Sequence, residues 1–225
     1  MRGVWFKRSP GALSNLEAML RTRFPTLHAF IENGQCRVRG TLPLRADEVE
    51  FDRYSLEIKL PDDYPTSPPR VWETAGRIPH HADRHVFLDG ALCLGTPLDL
   101  WVKLDGDFRL HRMLDGPVRN FLIGNSVVEQ GESWPHDQRA HGAAGLIEHL
   151  TELFGTDKPV MLATFLQALA AGGVTKHSRC PCVSGRKILK CHHAGFKALR
   201  RIPQDVLHQT ALMILQEFDP NRRAA

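Results

Sequence analysis

Three observations predict an α+β fold for this chain of 225 residues. Apolar residues recur at helical spacing near the N-terminus, alternating apolar and polar stretches follow, and the pattern turns helical again beyond Cys93. Ser14 and Glu17 stand at the spacing of a capping box, in which each side chain satisfies an orphan amide of the other. Leu16, Met19 and Leu20 then fall on one face, predicting a first helix over 14–23, with Pro25 just beyond it. Cys36 to Leu44 alternates and reads as a strand, Tyr54 to Leu60 alternates more cleanly, and Arg70 to Glu73 begins a third. Three meandering strands after one helix predict a helix layered on an antiparallel sheet.

Arg112 to Glu129 carries Met113, Val118, Phe121, Leu122 and Val128 at helical spacing, although Gly116-Pro117 and Gly124 interrupt it. Ala143 to Phe154 reads as a short helix. Asp157 stands where it could cap another, with Pro159 near its first turn and Gly172-Gly173 at its end. The glycine pair, the polar residues after it and a change in charge put a module boundary near 172–178. The chain thus divides into a domain over 1–173 and a small module over 174–225, which closes on an amphipathic helix from Gln204 to Phe218.

Apolar content of 42% and charged content of 24% are those of a soluble globular protein. No apolar run approaches the eighteen or so residues of a membrane span. The N-terminal residues lack the h-region and cleavage site of a secretory signal, so a cytoplasmic location is expected, with no membrane partner. The five cysteines stand at 36, 93, 180, 182 and 191. An odd count with three of them crowded together is a poor disulfide framework and points to a metal site plus separate thiols. From Val174 onward ten Lys and Arg face three Asp and Glu, against nineteen and twenty-two before it. That basic end suits an acidic partner, nucleic acid or a ribosome among them, or is a solvated basic surface.

Cys93 lies in Asp89-Gly90-Ala91-Leu92-Cys93-Leu94, downstream of Asp62-Asp63-Tyr64-Pro65 and Pro68-Pro69-Arg70-Val71. Proline fixes φ and restricts the residue before it, so this upstream segment is expected to be extended and stiff. An isolated Leu-Cys-Leu is most simply a buried structural thiol. Here the two motifs, in this order and with Trp101 eight residues after the cysteine, resemble the core of ubiquitin-conjugating enzymes over about fifty residues. The resemblance implies the UBC-like fold and a nucleophilic Cys93 that carries a ubiquitin-like protein as a thioester.

The family's His-Pro-Asn is absent; the chain reads Arg77-Ile78-Pro79-His80-His81-Ala82-Asp83-Arg84-His85-Val86. One register sets His80 on the family's histidine and Ala82 on its asparagine. The other, counted back from the cysteine and preferred, sets His85 on that asparagine. His85 could then donate to a developing oxyanion or take a proton, with Asp83 or Asp89 setting its tautomer, or it could only brace the loop. A metal site at these histidines, on the metallo-β-lactamase pattern, fails on register. Gly131 to Gly145 is similar to bacterial ubiquitin-conjugating-like proteins of defence and conjugation operons, which makes His141 a second candidate base.

Cys180-Pro181-Cys182, a Ser184-Gly185 turn and Cys191-His192-His193 can supply four tetrahedral ligands to zinc. The stretch resembles the SEC-C motif, which implies Cys180, Cys182, Cys191 and His192 as the ligands, with His193 as the substitute. Such an ion would be structural, and the motif's relatives act as docking modules. The sequence thus leads to a ubiquitin-conjugating-like cysteine transferase, dependent on a separate activating enzyme because no nucleotide-binding motif is present, and acting on a protein target. The alternative is a module that binds a ubiquitin-like protein without reacting, or an adaptor that docks through its basic zinc module.

Overall fold

The computed structural model describes residues 4–134 and 143–218. The chain gathers into two compact units, and residues 96–105 belong with the later one.

In the first unit, α1 (Trp5–Arg8) and α2 (Ala12–Arg23) precede a sheet of β1 (Leu27–Glu32), β2 (Gln35–Ala46), β3 (Val49–Lys59) and β4 (Arg70–Glu73). The four strands are antiparallel in sequence order. The predicted sheet thus has one more strand than expected. β1 lacks clean alternation, but Asn33-Gly34, both at positive φ, makes the tight turn into β2. The α2 helix begins before the expected capping box: Gly11 is its N-cap and no side chain caps it. Ala12 and Leu13 pack against the core, so burial extends the helix past the Ser14–Glu17 signal.

Beyond the sheet, α4 (Leu110–Met113) and α5 (Arg119–Glu129) are joined by a π-helical turn, Leu114–Val118. The turn takes up Gly116-Pro117, which in a regular helix would leave a carbonyl without its donor. Val38, Leu44, Ile58 and Val71 from the sheet meet Leu110, Leu114, Val118 and Leu122 in one core. Burying each such side chain is worth about 1.5–3 kcal/mol. The Tyr64-Pro65 segment is a turn and not an extended strut: its peptide is cis, and Tyr64 N–H donates to the Pro61 carbonyl at 3.1 Å. The Tyr64 hydroxyl accepts from the Leu110 N–H at 2.8 Å, tying the turn to α4.

The second unit is helical: α3 (Pro97–Leu104), α6 (Ala143–Phe154), α7 (Pro159–Ala170), α8 (His193–Leu199) and α9 (Gln204–Glu217). A capping box does occur here, at Thr96 and Asp99 of α3. Lys158, not Asp157, precedes the first turn of α7, and no side chain caps that helix. Leu98, Leu150, Phe154, Phe165, Leu199 and Ile214 form a core with Cys180 and Ile188. The cysteine-rich stretch thus shares its core with helices on both sides of it in sequence. Among the described residues no helix is long and apolar enough to cross a membrane.

Candidate functional site

Backbone pairing brings Cys93 to the open edge of β4. Leu92 N–H donates to the Val71 carbonyl at 2.8 Å, and Ala91 bridges Trp72. A tight reversal precedes it, in which Gly90 N–H donates to the Phe87 carbonyl and Phe87 N–H to the Ala91 carbonyl. Gly90 sits at φ +80°, and a Cβ there would come 2.7 Å from His80 Cε1, so position 90 requires glycine. Asp89 locks the reversal: its carboxylate accepts from Arg70 at 2.6 Å and from the Ala91 N–H at 3.2 Å. Ala91 and Leu92 are buried, and Cys93 is the first residue to emerge, partly exposed.

Cys93 N–H donates to the His85 carbonyl at 2.8 Å, which places the two residues side by side. His85 lies at φ +54°, where a side chain normally costs of order 1 kcal/mol. Its neighbours over-determine that conformation. Arg84 donates to Asn125 Oδ1 at 2.9 Å, and Val86 is buried and bridged to Leu92. The Trp134 ring packs on the imidazole at a tilt, centroids 4.7 Å apart and planes 42° apart. Trp134 in turn lies over Gly124 of α5, where a Cβ would sit 2.6 Å from the ring. Sequence reasoning missed Trp134 and Gly124 as supports; Gly124 stood out there only as an interruption of the helical pattern.

The other candidates fall out differently. The His80 ring packs beneath Gly90, next to the reversal. Asp83 projects into solvent with His81 Nδ1 at 4.0 Å, and Asp89 is held by Arg70. Among the described residues an indole ring packs on His85. His141 lies outside the described residues. Trp101 is on α3 in the other unit, against that unit's core. Cys36 is 1% exposed, and burial, reinforced by Glu17, pushes its thiol up to about 11, so it is poorly ionised and shielded.

The second cluster is built by a loop closed on itself. Cys180 N–H donates to the Arg186 carbonyl at 2.8 Å and Ile188 N–H to the Ser178 carbonyl at 3.0 Å, with Arg179 bridging Lys187. Val183 and Gly185 turn at positive φ between them. Cys180, Cys182, Cys191 and His192 are thereby brought together, all four donor atoms within 4.8 Å of one another. Cys180 Sγ is 3.2 Å from His192 Nδ1, Cys191 Sγ 3.4 Å from the same nitrogen, and the Cys182 and Cys191 sulfurs 3.5 Å apart. Metal bonds of about 2.3 Å to sulfur and 2.1 Å to nitrogen put tetrahedral edges near 3.7 Å, so the set fits a metal ion.

His192 rather than His193 completes the set. Its ring packs on Phe165, centroids 4.8 Å apart, within an aromatic group that includes Phe154 and Phe196. Burial raises the Cys180 thiol. Burial opposes ionisation of Cys182 as well, but hydrogen bonds from Ser184 and the neighbouring thiols outweigh it and bring Cys182 down. Among the described residues no other group of three or more metal-type side chains converges.

The chain matches no family model, and no curated protein matches it.

Proposed function

We propose that this chain is a ubiquitin-conjugating-like transferase with a UBC-like domain, and that Cys93 carries a ubiquitin-like protein, or another activated carboxylate, as a thioester. The observation that carries the reading is the contrast among the thiols. Cys93 is partly exposed on a backbone hook and lies outside the cysteine cluster, while Cys36 is buried and the other three converge on one another. The four-stranded meander, the Tyr64-Pro65 turn and the Gly90 reversal support it in the order the resemblance implies.

In the proposed reaction the Cys93 thiolate attacks the thioester carbonyl on a separate activating enzyme and expels that enzyme's cysteine thiolate. An amine of the target then attacks the Cys93 thioester, the Cys93 thiolate leaves, and the amine gives up a proton. His85, joined to Cys93 by a backbone hydrogen bond through its own carbonyl, is the residue assigned to assist, by donating to the oxyanion or accepting that proton. Zinc is the metal that suits three thiolates and one imidazole in tetrahedral array, and with four protein ligands no position is left open for catalysis. The module then serves docking, and the basic charge of its segment favours an acidic face on the partner.

The test is to incubate the chain with a ubiquitin-like protein and an activating enzyme encoded beside it, with ATP. A thiol-sensitive adduct should form, vanish in Cys93→Ala and persist in Cys36→Ala. Stable binding of the carrier without any adduct would instead favour the non-catalytic module. Elemental analysis should find one zinc per chain, lost in Cys180→Ser.

A further inference from the structure

The first unit contains a cavity of about 240 Å³ whose rim is arginine from four separate elements: Arg23 at the end of α2, Arg45 on β2, Arg53 on β3 and Arg119 at the start of α5. One carboxylate, Asp115, lines it, and it is taken by Arg23 at 2.6 Å. Glu50, outside the lining, holds Arg53 through two hydrogen bonds at 2.7 and 2.8 Å and reaches only 4.0 Å from Arg45. Arg119 donates to the Arg45 carbonyl, and among the described residues no carboxylate lies within 4 Å of it. Four guanidiniums thus share two carboxylates. Such an excess costs repulsion unless an anion enters.

The floor is apolar, made by Phe24, Leu42, Leu44 and Leu114, all buried. A second observation converges on the same place. The π-helical turn Leu114–Val118 contributes Leu114 and Asp115 to the lining and hands directly on to Arg119. Such turns inside α-helices are concentrated at functional sites. Nothing in the Cys93 hook or the metal cluster uses this turn.

We propose that this cavity binds a small organic phosphate, its phosphoryl group on Arg119, Arg45 and Arg53 and its apolar body on the Phe24–Leu42–Leu114 floor. Guanidinium forks match phosphoryl oxygens two at a time. The volume falls below the roughly 300–1,000 Å³ typical of drug-sized ligands, so a monoester of one ring or short chain fits better than an extended polymer.

Titration calorimetry on the full chain at low ionic strength tests it, with phenyl phosphate as the probe and inorganic phosphate and phenol as its two halves. Saturable binding of one phenyl phosphate per chain is expected, at least about tenfold tighter than either half, and weakened about tenfold or more in Arg119→Gln but not in Arg70→Gln on β4. Amide shifts in the unsubstituted chain should centre on Thr26, Leu44 and Leu114, which reports the site even where a variant fails to fold. No saturable binding, a match by either half alone, an unweakened Arg119→Gln, or shifts centred elsewhere would each overturn the proposal.

Discussion

Five thiols in one chain face three environments, and the differences predict their chemistry. Iodoacetamide applied to the folded, metal-loaded protein should modify Cys93 and spare Cys36 until the chain unfolds, read by peptide mass mapping. Burial holds Cys36 near 11 and out of reach, while Cys93 is partly exposed. Equal labelling of both would contradict the buried placement of Cys36. The His85 support is equally specific. Gly124→Val would drive a side chain into the Trp134 ring that packs on His85. The expected cost is about 1–3 kcal/mol in denaturant unfolding, together with slower alkylation of Cys93 relative to the unsubstituted chain. The clustering of metal-type ligands was legible from residue type and spacing, and Cys93 and His192 were singled out by the resemblances. Trp134 was not, because its role depends on a glycine one helix away.

At the scale of elements, an ion-pair network ties β3 to α5. Arg77 donates to Asp52 at 2.6 and 2.8 Å and to Glu129 at 2.9 Å, and its guanidinium lies over the Tyr54 ring, 4.2 Å from the centroid. Burial alone would raise Asp52, yet the bonds from Arg77, Ser126 and the Arg53 amide prevail and bring its carboxyl to about 2. A lowered carboxyl contributes stability above the unfolded value near 4, and that contribution is lost as pH falls toward 2. Arg77→Gln should therefore cost about 1–3 kcal/mol at pH 7, and the gap in melting temperature to the unsubstituted chain should shrink toward pH 2. A gap that stayed constant across that range would remove the network from the acid response. Element by element, β4 and α6 were readable to the residue because their patterns were clean. Ser14–Glu17 misled, since a capping box is a local signal that packing of Ala12 and Leu13 overrode. The cap at Thr96 and Asp99 was equally local and was passed over, in a stretch dominated by the cysteine motif.

At the scale of the molecule, the candidate metal-binding cluster sits in a core shared with helices. Cys180 and Ile188 are buried with Phe154, Phe165 and Phe196, and a Cβ at Gly195 would meet the Phe154 ring at 2.4 Å. A free-standing zinc module would unfold without its ion. Here chelation should leave most helical circular dichroism in place while residues 175–191 become sensitive to protease. Wholesale loss of helix on chelation would show that the ion, not the shared core, organises this unit. The sequence by itself determined the α+β class and the clustering of metal-type ligands, because these depend on residue chemistry at short spacing, while Cys93 as candidate nucleophile and His192 as fourth ligand rested on the resemblances. Only the tertiary structure decided where the compact units divide and that an indole packs on His85. Those outcomes follow from contacts between residues far apart in the chain, and no local pattern encodes them.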